Sequence, residues 1–293
     1  TNVPHAENVS YFGDGHNEAQ MVYNFTLPPL LFYTLHTGDA TKFRAWVASL
    51  ETPSDRTTFF NFTASHDGVG VRPVEGILTA DELAPLIEHV KATGGRVNYK
   101  QNSDGTQSPY ELNITYVDAI AGTDAPQAVQ IARFLLSQTI AMSLAGVPAV
   151  YIHSLLGSRN DLEGMARTGH NRTINRAKLD RATIETALND ADSFRAGIFH
   201  EYLRRLRLRV AQPAFHPNAA QTVLDGLPPG VFALQRTSAD QTVIAAFNVT
   251  GEPQAVDLSA HIDGTAHDLL SDSPIEAAFT LAAYQSVWLV VSG

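Results

Sequence analysis

The residues best placed for chemistry in this chain stand at the end of an apolar run. The sequence passes from Phe59-Phe60-Asn61-Phe62-Thr63-Ala64 directly into Ser65-His66-Asp67-Gly68. Such a run, ended by polar residues and a glycine, is typical of a buried strand followed by a turn. In parallel α/β folds the carboxyl ends of strands carry binding and catalytic residues. His66 and Asp67 are therefore candidate site residues, and the alternative is that Asp67 only forms the turn before Gly68.

The segments around this run alternate between strand-like and helix-like patterns. Short apolar strands are predicted at 21–25, 57–64 and 149–152. Helical patterns occupy residues 30–36, 41–50, 83–92 and 127–144. This alternation predicts βα units in a parallel sheet or a barrel sector. Residues 96–111 and 155–180 are polar with little periodicity, so both are predicted to be irregular.

The pattern changes near Pro213. Beyond it, short alternating apolar runs are separated by turn residues, as at 231–235, 243–249 and 287–291. Alternation of this kind predicts antiparallel strands with one buried face. The chain is therefore predicted to have an α/β part, residues 1–211, and a small antiparallel β domain, residues 212–293.

The composition excludes several classes of protein. The 293 residues carry a net charge of −10, which argues against nucleic acid or an anionic membrane as a partner. The chain contains no cysteine, so disulfides and thiolate metal sites are impossible. No apolar run approaches the ~20 residues that a membrane-spanning helix needs.

Four motifs together carry a resemblance to a known family. They are Tyr23-Asn24-Phe25-Thr26-Leu27-Pro28-Pro29-Leu30-Leu31, Phe62-Thr63-Ala64-Ser65-His66-Asp67-Gly68-Val69-Gly70-Val71-Arg72-Pro73-Val74-Glu75-Gly76, Gly146-Val147-Pro148-Ala149-Val150-Tyr151 and Asn171-Arg172-Thr173-Ile174-Asn175-Arg176. In this order the motifs resemble the sucrose phosphorylase subgroup of the α-amylase family, glycoside hydrolase family 13. The Arg-Pro-Val-Glu-Gly variant is most similar to subgroup families that act on acidic glucosides, the glucosylglycerate and sucrose 6′-phosphate phosphorylases.

The resemblance implies both a fold and a reaction. The fold is α/β, the C-terminal part of a (β/α)8 TIM barrel, about strands six to eight, followed by the small antiparallel β domain. Residues 1–211 are fewer than the roughly 250 that a complete barrel takes. The reaction is retaining phosphorolysis of an α-glucoside, with phosphate as co-substrate and no metal or other cofactor. The family's nucleophile and general acid would lie upstream of Thr1, so we expect this chain to be inactive alone.

The resemblance also assigns roles to individual residues on the glucose side of the site. Asp67 matches the carboxylate that stabilises the transition state, and His66 matches the neighbouring histidine that binds sugar hydroxyls. Arg172 matches an arginine that holds a distal glucose hydroxyl and a partner carboxylate, and its alternative is a surface loop arginine.

The remaining assignments concern the acceptor side of the site. Tyr99 and Gln107 fall in a segment that corresponds to the mobile acceptor loop of sucrose phosphorylases. Arg72 is placed either to meet an anionic acceptor or phosphate, or to pair with Glu75. These residues complete the predicted binding set.

Three alternatives concern the chain as a whole. A hydrolase or transglycosidase of the same family would share these motifs, and a non-catalytic carbohydrate-binding or structural product would retain them. Half a barrel leaves a sheet edge uncovered, so we expect a homodimer or association with the missing N-terminal half. The resemblance places the protein in the cytoplasm, where sugar phosphates are retained.

Overall fold

The computed structural model describes residues 2–291. The α-helices within those residues are α1 (His5–Ser10), α2 (Leu27–Thr37), α3 (Thr41–Ala48), α4 (Ala80–Ala92), α5 (Tyr116–Ala121), α6 (Gln127–Ser143), α7 (Ile152–Leu155), α8 (Leu162–Thr168), α9 (Arg181–Asn189) and α10 (Phe194–Val210). The strands are β1 (Met21–Tyr23), β2 (Thr58–Asn61), β3 (Val69–Gly70), β4 (Arg96–Gln101), β5 (Gln107–Asn113), β6 (Val147–Pro148), β7 (Ala220–Val223), β8 (Val231–Thr237), β9 (Thr242–Asn248), β10 (Gln254–Asp257), β11 (Thr265–Asp268), β12 (Ser273–Glu276), β13 (Ala278–Leu281) and β14 (Ser286–Val291). Short 3₁₀ segments are Arg72–Val74, Asn171–Asn175 and Pro213–Phe215.

A parallel sheet of three strands forms the first layer, in the order β1–β2–β6. Val22 lies opposite Phe59, and both side chains are buried on one face. Tyr23 lies opposite Phe60 on the other face, where Tyr23 is 53% exposed. Helices α2 and α3 connect β1 to β2, and α4, α5 and α6 lie between β2 and β6. The predicted βα alternation is therefore observed, with one face of the sheet buried and the other partly open.

The last parallel strand lies earlier in the chain than predicted. The strand is Val147–Pro148, paired with Phe60 and Asn61, whereas Ile152 opens the short helix α7. A short apolar run has the same hydrophobic pattern in a buried strand and in a helix, so the sequence could not distinguish the two. The polar residues His153 and Ser154 consequently lie in α7 rather than at a strand end.

The polar segment at residues 96–111 was predicted to be irregular, but it forms an antiparallel hairpin. Strand β5 pairs with β4 on one side and with the short β3 on the other. Leu112 lies opposite both Val69 and Val97 and is fully buried. Because the hairpin strands expose residues on both faces, their sequence lacks the alternation that marks a half-buried strand. Residues 155–180, also predicted to be irregular, contain α8 and the Asn171–Asn175 segment.

Antiparallel sheets make up the C-terminal part. Six strands lie in the order β12–β11–β14–β9–β8–β7, and β10 pairs with β13 in a second sheet. The apolar runs predicted as strands correspond to β8, β9 and β14. A single apolar cluster extends from Leu30 of α2 to Phe232 of β8 and Trp288 of β14. The division at residue 212 therefore stays a prediction, since the two parts share a core.

A buried arginine joins the β sheet to the helices. The Arg236 side chain is fully buried and donates hydrogen bonds to the backbone oxygens of Ser143 (3.0 Å), His216 (2.7 Å) and Ala219 (3.2 Å). Burial lowers the pKa of its guanidinium to about 10. Within residues 2–291 no carboxylate is bonded to this charge, and carbonyl dipoles solvate it instead. The contact fixes the end of α6, and hence β6, relative to the β sheet.

Candidate active site

A cavity of about 280 Å³ opens beyond the carboxyl end of β2. The residues that line it include Phe25, Phe62, Ser65, Asp67, Gly68, Tyr110, Glu111, Arg172 and Asn175. They come from the ends of β1 and β2, from β5 and from the Asn171–Asn175 segment. The cavity therefore lies at the sheet edge where the sequence predicted a site.

The turn after β2 places Asp67 in the cavity wall. The backbone N–H of Asp67 donates to Ser65 Oγ at 3.1 Å, which stabilises the turn. A side-chain carbon on Gly68 would stand 2.5 Å from the backbone oxygen of Leu112, so only glycine fits there. The Asp67 side chain is 37% exposed and remains reachable from the cavity. Asp67 is thus both a turn residue and an accessible carboxylate.

Two guanidinium groups hold the Asp67 carboxylate. Arg172 Nη1 and Arg176 Nη2 each lie 3.0 Å from Asp67 Oδ1. His66 Nε2 lies 3.6 Å from the same oxygen. All three contacts approach the carboxylate through this single oxygen. Arg176 was not singled out in the sequence, although it ends the quoted motif Asn171–Arg176.

Arg172 is held in turn by a second carboxylate. Its Nε donates to Glu111 Oε2 at 3.1 Å, and its Nη2 lies 3.1 Å from Glu111 Oε1. The hydrogen bond to Glu111 raises the pKa of the Arg172 guanidinium above its ordinary value. Paired bonds of this kind fix a planar guanidinium in one orientation. Glu111 was not singled out in the sequence. The one local signal is that this acid directly precedes the apolar Leu112 at the end of a polar segment.

Asn175 fixes the loop that carries Asp67. Its side-chain Nδ2 donates to the backbone oxygens of Ser65 (2.6 Å) and Asp67 (3.1 Å). Its own backbone oxygen accepts from the Tyr151 hydroxyl at 2.7 Å. Burial raises the pKa of Tyr151, although the Arg176 charge opposes the shift, and this favours the protonated donor. The loop after β2 and the Asn171–Asn175 segment are therefore one hydrogen-bonded unit.

The other sequence candidates lie outside this cavity. His66 is 71% exposed and turns toward solvent beside Asp67. Tyr99 is exposed on β4, and Gln107 Nε2 donates to Gln101 across the hairpin at 3.3 Å. Arg72 Nε lies 3.5 Å from Glu75 Oε1, which matches the pairing alternative. Of the predicted residues, only Asp67 and Arg172 are brought together around the cavity.

Among residues 2–291, no group of three or more histidine, aspartate or glutamate side chains is arranged to hold a metal ion. None of the helices described there combines the length and apolar character that crossing a bilayer requires.

Comparison with curated proteins identifies close relatives. The chain is 49% identical over 258 residues to a glucosylglycerate phosphorylase from Allomeiothermus silvanus. This alignment covers 87% of this chain and 46% of the relative. It is 41% identical over 291 residues to a glucosylglycerate phosphorylase from Escherichia coli, covering 99% and 51%. A sucrose phosphorylase from Agrobacterium vitis is 29% identical, covering 68% and 39%. The chain thus spans about half the length of the curated relatives it matches.

Solved structures agree with the predicted fold class. A sucrose 6F-phosphate phosphorylase from Thermoanaerobacter thermosaccharolyticum matches with a TM-score of 0.70 at 20% identity, over 85% of this chain and 46% of that structure. The α-amylase from H. orenii matches with a TM-score of 0.61 at 13% identity, over 97% and 51%. These likenesses confirm the fold class, a barrel-type α/β region followed by an antiparallel β region.

The sequence relatives and the solved structures lead to one assignment. No family model matches the chain. The E. coli relative nevertheless matches 99% of it, and the sucrose 6F-phosphate phosphorylase structure matches 85% of it. The chain belongs to glycoside hydrolase family 13, among the glucosylglycerate and sucrose phosphorylases.

Proposed function

We propose that this chain is the C-terminal portion of a retaining α-glucoside phosphorylase that acts on glucosylglycerate. One observation carries the proposal: an accessible carboxylate, Asp67, is held by two guanidinium groups in the wall of a cavity about as large as one sugar ring needs. The two glucosylglycerate phosphorylases named above support the substrate, since both exceed 40% identity to this chain.

In the proposed reaction Asp67 stabilises charge and does not form a covalent bond. An aspartate nucleophile attacks the anomeric carbon while an acid protonates the leaving oxygen, and phosphate then opens the glucosyl ester with overall retention. As the anomeric carbon becomes positive, Asp67 accepts stronger hydrogen bonds from the sugar hydroxyls. Arg172 and Arg176 hold the carboxylate in place before substrate arrives, so little reorganisation accompanies the step.

The nucleophile and the acid are proposed to come from residues upstream of this chain. A retaining mechanism needs two carboxyl groups about 5 Å apart across the glycosidic bond. The two acids that line the cavity, Asp67 and Glu111, are both bonded to Arg172. Glu7 and Asp14 lie in the N-terminal segment and do not line the cavity. This chain therefore supplies part of a site.

The acceptor side is proposed to recognise an anion. Glycerate and phosphate are both negatively charged, and Arg72 and Lys100 share the single carboxylate of Glu75 at 3.5 and 3.2 Å. Among the described residues these two cations pair with this one carboxylate, so one positive charge is left over beside the β4–β5 hairpin. Tyr99 and Gln107, on the same hairpin, complete the proposed acceptor surface, with His66 on the sugar side. The protein is proposed to work in the cytoplasm.

The test is an assay of the purified chain with glucosylglycerate and phosphate. We expect no α-glucose 1-phosphate, because the catalytic pair is missing, and release by the chain alone would contradict this. Hydrolysis to free glucose would favour a hydrolase of the same family. If calorimetry shows that the chain binds glucosylglycerate, but neither the chain nor a complex that contains it turns the substrate over, the non-catalytic carbohydrate-binding alternative is favoured.

A further inference from the structure

We propose that Glu111 is a positioning residue, which fixes the Arg172 guanidinium against Asp67 and holds the β4–β5 hairpin on the cavity wall. The functional part of this inference rests on the function proposed above. The structural part stands on contacts within the chain itself.

Four donors converge on the two oxygens of Glu111. Oε1 accepts from the Gly68 N–H at 3.1 Å and lies 3.1 Å from Arg172 Nη2. Oε2 accepts from Arg172 Nε at 3.1 Å and from Asn98 Nδ2 at 2.9 Å. Two oxygens of a carboxylate have about four acceptor positions, so all are occupied.

The donors belong to three separate elements. Gly68 lies in the loop that carries Asp67, Asn98 lies on β4, and Arg172 lies in the Asn171–Asn175 segment. Asn98 Oδ1 in turn accepts from Asn171 Nδ2 at 2.7 Å. The β4 strand has an irregular register between Asn98 and Tyr99, and such a bulge redirects a side chain. Glu111 is therefore the shared acceptor that ties these elements together.

The geometry of the guanidinium carries the effect to Asp67. Glu111 binds the Nε and Nη2 edge of Arg172, which leaves Nη1 to reach Asp67 at 3.0 Å. Because the guanidinium is planar and rigid, fixing one edge fixes where Nη1 points. The Glu111 side chain is 4% exposed, and a charge so deeply buried is tolerated only with its donors in place.

The substitution Glu111→Gln tests the structural part in the chain as it exists. Whichever way the amide is turned, its NH₂ faces two donors instead of accepting from them. We expect the Gly68 N–H and the β4–β5 amides to exchange with deuterium at least about tenfold faster, because charge-assisted hydrogen bonds are lost. Glu75→Gln is the matched control, since Glu75 contacts the same hairpin through Lys100 at 3.2 Å but is exposed. We expect no change at Gly68 in that variant.

Unchanged exchange at Gly68 in a folded Glu111→Gln protein would overturn the proposal, as would equal loosening by Glu75→Gln. Where Glu111→Gln fails to fold, Arg172→Lys keeps the charge but loses the fork, and it should speed exchange in the 171–175 segment by a similar factor. Normal exchange there would also overturn the proposal.

The functional part is tested in a hybrid enzyme, defined as this chain co-expressed with the half of the E. coli relative that the chain does not match. Glu111→Gln should lower kcat more than it raises KM. The double variant Glu111→Gln/Arg172→Lys should have a kcat no lower than that of the more impaired single variant. Additive losses would contradict action through Arg172. A hybrid without phosphorolysis would count against the proposed function, while the exchange result would still decide the role of Glu111.

Discussion

Asp67 receives both of its arginine contacts on a single carboxylate oxygen, Oδ1. The sequence could predict this residue because an acid between an apolar run and a glycine has a local signature. It could also point to Arg172 through the resemblance. Glu111 has no such signature, because its importance depends on donors that lie 13, 43 and 61 residues away along the chain. Burial and convergence of donors are properties of the fold rather than of the motif.

The role of Asp67 can be tested by Asp67→Asn in the hybrid enzyme. We expect kcat to fall at least about a hundredfold, because an amide cannot stabilise the developing positive charge as a carboxylate does. The free energy of unfolding should change by less than about 1 kcal/mol, since partly exposed ion pairs contribute little. Stopped assays and urea unfolding measure the two quantities. Turnover near that of the unsubstituted hybrid would contradict the assigned role.

The elements follow the sequence pattern where periodicity is strong. Helix α4 is capped by Thr79, whose hydroxyl accepts from the Glu82 N–H at 3.3 Å while Glu82 Oε2 accepts from the Thr79 N–H at 2.8 Å. The hairpin β4–β5 escaped prediction because neither of its faces is uniformly buried. Strand β6 escaped because its two residues are defined only by pairing with β2.

Helices α2 and α4 meet at two histidines whose ionisation should affect stability. The rings of His36 and His89 lie 5.3 Å apart, with His89 partly buried and His36 more exposed. Burial is the largest cause that lowers the pKa of both histidines below 6.5, and the Arg133 charge adds to it at both. At His36 repulsion from His89 lowers the pKa further. At His89 the backbone of Ala119 and Asp118 and the charge of Asp124 oppose the shift. Below pH 6.5 the unfolded chain therefore binds more protons than the folded chain, so the free energy of unfolding falls as pH falls.

The measurement is urea unfolding of the chain across this pH range. His89→Gln should flatten the dependence, because one of the suppressed protonations is removed. His16→Gln, at an exposed loop position, should leave it unchanged. A stability that is constant or rises as the pH drops below 6.5 would contradict the burial argument.

The molecule as a whole has an open sheet. Within the described residues β1 and β6 each pair only with β2, so both outer edges lack strand partners there. Tyr23 and Met21 on β1 are 53% and 45% exposed, which is unusual for side chains on a parallel sheet. The curated relatives are about twice as long as this chain, and we propose that a segment equivalent to their unmatched half covers this face.

An uncovered apolar face should make the isolated chain associate with itself. We expect concentration-dependent dimers in sedimentation velocity experiments. Tyr23→Glu should weaken this association, whereas Val210→Glu, on the exposed end of α10, should not. A monomer at all concentrations that melts cooperatively would show that the chain needs no cover.

The hybrid enzyme offers the most direct test of the central proposal, that this chain supplies the Asp67 half of a phosphorylase site. With glucosylglycerate and phosphate, we expect release of α-glucose 1-phosphate by the hybrid but not by either half alone. Asp67→Asn in this chain should abolish the release. A stable complex of the two halves that releases no product, or release that does not depend on Asp67, would contradict the proposal.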